Sequence, residues 1–182
     1  MPWISTIAWS DADGVLREAY DWQAASLGEP TEFTQLGSLY PELVMERLRL
    51  YKVVEGAPSS LSALERRVAA YVTSTLNETP HCASGLVHRL ADLGVPVERL
   101  AETRGGDQRL DAIASYAEKL TRQPDRMQAA DIERLREVGL EDLDILDLNN
   151  IVAYFNYINR VANGLGLKTP IPAEHARRAV PR

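Results

Sequence analysis

The chain has 182 residues, which is enough for one domain with a substantial apolar core. Hydrophobic residues make up 45% of it and charged residues 25%, a globular rather than a disordered composition. The formal net charge is -6 with basic residues scattered among acids, which excludes the basic surface that nucleic acid or an anionic membrane attracts.

Helical periodicity recurs along the chain, whereas alternating strand patterns and hairpin turns are nearly absent. Proline, glycine and capping residues mark where the predicted helices begin and end. The predicted helices cover residues 11 or 13 to 28, 41–56, 62–77, 79–94, 97–101, 110–123, 131–138 and 143–161, with a turn at 104–107. The last helix is apolar over much of its circumference, which favours a central or interfacial position. The sequence therefore predicts an all-α fold.

No linker or repeat divides the chain, so we expect one helical domain over residues 1–168. The segment 169–182 contains three prolines and paired arginines, and it predicts a mobile C-terminal tail. No apolar run approaches the roughly 20 residues of a membrane span, and the N-terminus has no secretory signal pattern. We expect a cytoplasmic protein without membrane or nucleic-acid partners.

Cys82 is the sole cysteine, so no intrachain disulfide can form. The three histidines, His81, His88 and His175, have no metal-ligand spacing. The sequence therefore predicts neither a metal site nor a cofactor.

Cys82 is also the centre of the one segment with chemical character. With Thr79 as N-cap and Pro80 first, Cys82 is the third residue of its helix, and the Thr79 hydroxyl is expected to accept its backbone N–H. The helix dipole, and His81 if protonated, would favour a thiolate of lowered pKa. The alternative is that Cys82 is a buried, unreactive small hydrophobe.

Residues 61–90 resemble the core motif of the alkylhydroperoxidase D and carboxymuconolactone decarboxylase superfamily. That motif has a glutamate on one helix, Cys-x-x-Cys at the start of the next, and a histidine four residues later. Residues 153–166, which read AYFNYINRVANGLG, are similar to the uncharacterised peroxidase-related branch. Residues 39–43 and 119–122 are similar to it as well. The resemblance spans roughly residues 4–167.

The resemblance implies an all-helical multi-helix fold, homo-oligomers, and reduction of hydroperoxides by the second motif cysteine. Cys82 occupies that position, and His81 precedes it as in some relatives. Thr79 replaces the first cysteine, Leu86 replaces the histidine, and Arg67 falls at the glutamate position. The resolving thiol and the proton-relay groups of the family are therefore missing, and a sulfenic acid on Cys82 would need an external thiol reductant.

Arg67 has two interpretations of equal weight. Its charge stabilises a Cys82 thiolate if it points into the same pocket. Otherwise it faces solvent or pairs with Glu65 or Glu78. Asn156, Asn159 and Arg160 likewise either satisfy buried backbone and helix ends or contact substrate.

Three functions stay open at this point. The first is a one-cysteine hydroperoxide reductase through Cys82, with His81 and Arg67 as activating residues and an external thiol as reductant. The second is a non-catalytic homo-oligomeric scaffold or ligand-binding protein. The third is a lyase or isomerase on a small organic acid, with His81 and Arg67 around a carboxylate.

Overall fold

Helices account for most of the residues 2–171 and 173 that the computed structural model describes. Nine of them are α-helices, and three short 3-10 helices lie between them, with no strand in this part of the chain. This confirms the predicted all-α class. The α-helices are α1 (Gly14–Leu27), α2 (Glu32–Leu36), α3 (Pro41–Glu55), α4 (Ala63–Leu76), α5 (Pro80–Asp92), α6 (Leu100–Gly106), α7 (Gln108–Arg122), α8 (Ala129–Glu137) and α9 (Asp142–Gly164).

Local signals in the sequence set several of the helix ends. Helix α1 ends at Gly28, whose φ of 86° is the left-handed conformation that glycine adopts without strain. Helix α3 begins at Pro41, where the missing N–H carries no penalty. Ser62 and Glu65 form the expected capping box of α4: the Ser62 hydroxyl accepts the Glu65 N–H (3.2 Å) and the Glu65 carboxylate accepts the Ser62 N–H (2.7 Å).

Two local predictions were wrong. Helix α2 was not predicted; it has five residues, and its N-cap Thr31 accepts the Thr34 N–H at 3.2 Å. A turn was predicted at 104–107, whereas α6 continues through Gly106. Asp107 then caps α7, accepting the N–H groups of Arg109 and Leu110 at 3.0 Å each. One capping residue thus separates two helices, because its carboxylate satisfies the free N–H groups of the second.

Helix α4 lies at the centre of the fold and packs against α5, α7 and α9. Helix α9 supplies much of the core: Leu148, Ile151 and Val152 are almost fully buried. Its central position agrees with its apolar circumference. No helix in the described part of the chain is both long and apolar enough to cross a membrane.

The chain after α9 returns to the start of α5. The Ile171 N–H donates to the Ser84 hydroxyl at 2.8 Å, and the Thr169 carbonyl is 2.7 Å from Nδ1 of His81. These residues fall in the predicted mobile tail, but their backbone is held by side chains of α5. The remainder of that tail, residue 172 and residues 174–182, lies outside the described residues.

Candidate functional site

A cavity of about 150 Å³ lies beside the N-terminal half of α5. Helices α1, α2, α3, α5 and α9 and the segment after α9 contribute to its walls, which are mainly apolar and aromatic. The lining residues are Gln23, Leu27, Thr31, Phe33, Thr34, Arg47, Leu48, Tyr51, His81, Cys82, Gly85, Leu86, Arg89, Tyr154, Phe155, Ile158 and Ile171.

Cys82 borders this cavity from the first turn of α5, where it is the third residue after Pro80 and Thr79. The predicted cap is absent: the Thr79 hydroxyl does not accept an N–H of α5. It instead accepts the Asn163 side-chain N–H at 2.9 Å and donates to the Asn77 carbonyl at 3.3 Å. Thr79 therefore ties the start of α5 to the end of α9 and does not line the cavity.

The Cys82 thiol is held in its neutral form. Only 8% of the residue is exposed, and burial raises the pKa of the thiol to about 12 because an apolar environment disfavours the thiolate. The helix N-terminus predicted a thiolate of lowered pKa, whereas burial in the structure raises the pKa of the thiol.

His81 lies next to Cys82 on the cavity wall and is also buried. Burial lowers its pKa, and the bond to the Thr169 carbonyl offsets this only in part. Because a carbonyl only accepts, Nδ1 carries the proton, and Nε2 of the neutral ring is a hydrogen-bond acceptor. His81 therefore adds no positive charge beside the thiol.

Arg67 is not brought to the cavity. Its two terminal nitrogens bind the carboxylate of Glu55, with Nη1 at 2.8 Å from Oε1 and Nη2 at 2.5 Å from Oε2. The partner is neither Glu65 nor Glu78. Glu55 therefore balances the Arg67 charge, and Arg67 does not line the cavity beside Cys82.

Two other arginines line the cavity in its place. Arg47 of α3 is 4% exposed, and Arg89 of α5 donates to the Tyr51 hydroxyl at 3.3 Å. The Tyr51 ring stacks on Tyr154, with centroids 5.6 Å apart and an interplanar angle of 29°. Burial raises the pKa of the Tyr154 phenol, so it stays a neutral hydrogen-bond donor at physiological pH.

Arg47 had one signal in the sequence that could have identified it. It lies three residues after Val44 and four before Tyr51, so it shares the apolar face of α3 with them. A charged residue on a core-facing stripe needs a buried partner or a function. No sequence signal distinguished Tyr154 and Phe155 as cavity residues, because most of their neighbours on α9 are also apolar.

The polar residues of α9 serve the structure in the contacts that are described. Asn159 is fully buried, and its side-chain amide exchanges hydrogen bonds with the Ser74 hydroxyl. The side-chain oxygen Oδ1 of Asn156 accepts the side-chain N–H of Asn77 at 2.9 Å, and Arg160 donates to the same oxygen. None of these residues of α9 lines the cavity.

Comparison with known structures identifies the fold. An uncharacterised peroxidase-related protein from Silicibacter sp. TM1040 is 27% identical, with 90% of each chain covered and a TM-score of 0.73. An alkylhydroperoxidase AhpD core protein, also peroxidase-related, from Ralstonia eutropha JMP134 is 19% identical, with a TM-score of 0.82 over 100% of this chain and 98% of the other. The chain therefore has the fold of these peroxidase-related, alkylhydroperoxidase D-like proteins.

A third structure with this alkylhydroperoxidase D-like fold is the debrominase Bmp8, in a cysteine-to-alanine variant in complex with 2,3,4-tribromopyrrole. It is 15% identical, with 95% of this chain and 94% of the other covered and a TM-score of 0.76, so the likeness is one of fold. No protein-family model and no curated protein matches the sequence. The likeness to alkylhydroperoxidase D-like proteins therefore rests on structure.

Proposed function

We propose that this chain is a small-molecule-binding member of the alkylhydroperoxidase D-like superfamily, which holds a compact, largely apolar organic ligand against Cys82. The observation that carries the proposal is the cavity itself. It has a volume of about 150 Å³ and mostly apolar walls, and its one thiol is kept neutral by burial. A cavity of this size and character accommodates a ligand of about the size of benzene.

The site lacks the groups that thiolate peroxidase chemistry uses. A peroxidatic cysteine reacts as the thiolate, but the pKa of Cys82 is raised to about 12. The described residues that line the cavity include no carboxylate to relay a proton, and Leu86 presents an apolar surface there. Cys82 is the sole cysteine, so no second thiol of the chain resolves a sulfenic acid.

The structure of Bmp8 supports the proposal at the level of the fold. That protein carries the same fold and was solved with 2,3,4-tribromopyrrole, a small substituted aromatic ring. A compact ring is also the shape that suits the cavity of this chain.

Ligand binding is tested by the effect of benzyl alcohol on thermal unfolding and on Cys82 alkylation. A ligand that binds only the native state raises the unfolding temperature with concentration. We expect benzyl alcohol to do so and to slow the reaction of Cys82 with iodoacetamide.

Leu86→Trp should fill the cavity and abolish both effects, because Leu86 is a buried lining residue. Leu93→Trp is the matched control, because Leu93 is 43% exposed at the end of α5 and does not line the cavity. Absence of any benzyl alcohol effect on the wild-type protein would refute the proposed function.

A second candidate is a one-cysteine hydroperoxide reductase, and the position of His81 favours it. Nε2 of its neutral ring is an acceptor on the same wall as Cys82. In this reaction the thiol proton leaves, the sulfur takes one oxygen from the hydroperoxide, and the alcohol departs with a proton. Two equivalents of an external thiol then reduce the sulfenic acid, giving a disulfide and water.

Intact mass spectrometry separates the two candidates. Reduced protein is mixed with equimolar cumene hydroperoxide, with Cys82→Ser as the control for oxidation elsewhere. The binding proposal expects Cys82 to stay unmodified for many minutes. Rapid addition of one oxygen, reversed by added thiol, would establish the reductase instead.

The lyase or isomerase hypothesis loses the basis given to it by the sequence. It assigned a substrate carboxylate to Arg67, and that guanidinium already binds the carboxylate of Glu55. Among the described residues that line the cavity, no pair is favoured for acid–base chemistry by a specific contact.

A further inference from the structure

Arg47 is a buried cation, and no carboxylate of the described residues lies within ion-pair distance of it. Its Nη2 donates to the carbonyl oxygens of Phe33 at 3.0 Å and Thr34 at 3.5 Å, and its Cζ lies 4.2 Å from the centroid of the Phe33 ring. No carboxylate of the described chain pairs with it. Since a guanidinium has five N–H donors, those on Nε and Nη1 are left without a partner.

Two other buried arginines show how this fold normally balances such a charge. Arg66 donates to Asp147, with Nη1 3.2 Å from Oδ1, and Arg67 binds Glu55. A buried charge is expensive unless it is paired, and backbone carbonyls compensate it only in part. Arg47 therefore differs from these two arginines by the lack of an anion in the described residues, although it is at least as buried as Arg66.

The unused donors of Arg47 open onto accessible space. Every fully buried side-chain nitrogen and oxygen in the described residues has a hydrogen-bond partner. Nε and Nη1 have none, so these two nitrogens keep some accessible surface, and Arg47 is one of the residues that line the cavity. The face of Arg47 that lacks a protein partner is thus available to a ligand in the cavity beside Cys82.

The cavity walls determine what kind of anion fits. Leu86, Phe155 and Ile158 present apolar surface, and Tyr154 adds an aromatic ring. The volume of about 150 Å³ suits one six-membered ring. A carboxylate matches the planar fork of a guanidinium better than a spherical anion does, because both of its oxygens accept hydrogen bonds.

We propose that the cavity binds a small organic carboxylate with an apolar body of about the size of benzoate, and that Arg47 pairs with its carboxylate group. The ligand's ring lies among the apolar walls beside Cys82, and its charge balances the buried guanidinium. This inference rests on the proposed function and narrows it to one chemical class of ligand.

The test compares benzoate with benzamide, a neutral molecule of almost the same shape. Binding to the wild-type protein is measured by isothermal titration calorimetry, and protection of Cys82 from iodoacetamide places the ligand in the cavity. We expect benzoate to bind at least ten-fold more tightly than benzamide. This comparison needs no variant and therefore does not depend on how a substitution folds.

Variants then assign the charge that is responsible. Arg47→Met should lose the preference for benzoate while it still binds benzamide, which also demonstrates that the variant is folded with its cavity intact. Arg47→Lys should keep part of the preference, because it keeps the charge but not the fork. Arg89→Met is the matched control, because Arg89 of α5 also lines the cavity, and it should keep the preference.

Each outcome bears on a different proposal. Tighter binding of benzamide and benzyl alcohol than of benzoate would overturn the carboxylate inference and leave the small-molecule site standing. A preference for benzoate that survives in Arg47→Met but disappears in Arg89→Met would overturn the role of Arg47. Failure of all three compounds to bind would remove the proposed function, and this inference with it.

Discussion

At the scale of single residues, Cys82 is where burial has its clearest chemical effect. Its pKa rises from 9.0 to about 12, so the thiolate fraction at neutral pH is about 1000-fold lower than that of an unburied thiol. We expect alkylation by iodoacetamide at pH 7 to be slower by orders of magnitude in the native protein than in urea. Because Cys82 is the sole cysteine, mass spectrometry reports it directly. Equal rates in both states would contradict the buried, neutral thiol.

The same shift in pKa makes stability depend on pH. Above pH 9 the unfolded chain loses the Cys82 proton, whereas the native protein holds it to about pH 12. The native state therefore loses stability as the pH rises through this window. We expect the unfolding free energy to fall more steeply in the wild-type protein than in Cys82→Ser, as measured by urea denaturation. Parallel curves would exclude a raised thiol pKa.

Gly85 controls the contact between α5 and the segment that follows α9. A Cβ at this position would lie 3.1 Å from Cδ1 of Ile171, whereas a Cβ at Gly105 in α6 meets nothing within 4 Å. Alanine in a helix interior gains about 0.5–1 kcal/mol over glycine. We expect Gly105→Ala to show this gain in urea denaturation and Gly85→Ala to show less.

Displacement of Ile171 should also open the cavity, because Ile171 lines it. Cys82 of Gly85→Ala should therefore react faster with iodoacetamide than Cys82 of Gly105→Ala. If Gly85→Ala and Gly105→Ala gain the same stability and their Cys82 residues react at the same rate, the added methyl group at Gly85 does not change the cavity.

At the scale of elements, a buried ion pair connects α4 and the loop before it to α9. The Arg66 guanidinium donates to Asp147, to the Val54 carbonyl at 3.1 Å and to the Ser59 hydroxyl at 2.9 Å. Removal of one partner of such a pair leaves an uncompensated buried charge, which costs about 3–5 kcal/mol. We expect Arg66→Met to lose that much unfolding free energy in urea denaturation.

A double variant and an exposed pair provide the controls for Arg66. Arg66→Met with Asp147→Leu should recover much of the loss, because no charge is then stranded. Arg99→Met removes the exposed pair with Glu102, 3.4 Å apart, and should change stability by less than about 0.5 kcal/mol. A similar loss in all three variants would show that the buried pair has no special role.

The sequence predicted elements well where the signal is local. Gly28, Pro41 and the box of Ser62 and Glu65 act within one turn of chain, so their residue types alone indicate where a helix begins or ends. The short helix α2 was not predicted, because five residues are too few to show the helical periodicity of apolar residues.

The site was harder to predict because its residues meet through tertiary packing. Arg67 and Glu55 are twelve residues apart on different helices, and no sequence pattern indicates that they pair. Arg47 and Cys82 line one cavity, to which five helices contribute. The sequence located the thiol, but the presence of the Arg47 charge in the same cavity follows only from how the helices pack.

At the scale of the whole molecule, two helices present exposed apolar side chains. We define the apolar stripe as Leu43, Leu50 and Val53 of α3 with Leu143, Leu146 and Tyr157 of α9. The two helices pack against each other, so their exposed residues lie on neighbouring elements. Exposed apolar side chains on adjacent helices are a feature of protein–protein contact surfaces. Self-association, which the family resemblance implies, stays a prediction, and this stripe is the surface we expect it to use.

Sedimentation velocity of stripe variants tests that surface. Val53 is 69% exposed and Leu146 is 57% exposed, so a glutamate at either position disturbs no buried packing. If the stripe forms a subunit contact, glutamate there must be desolvated against apolar surface, and Val53→Glu with Leu146→Glu should convert an oligomer to a monomer. Leu93→Glu, at a 43% exposed position outside the stripe, should leave the oligomer unchanged. If the wild-type protein is a monomer at micromolar concentration, self-association is refuted, and the stripe forms no contact between subunits.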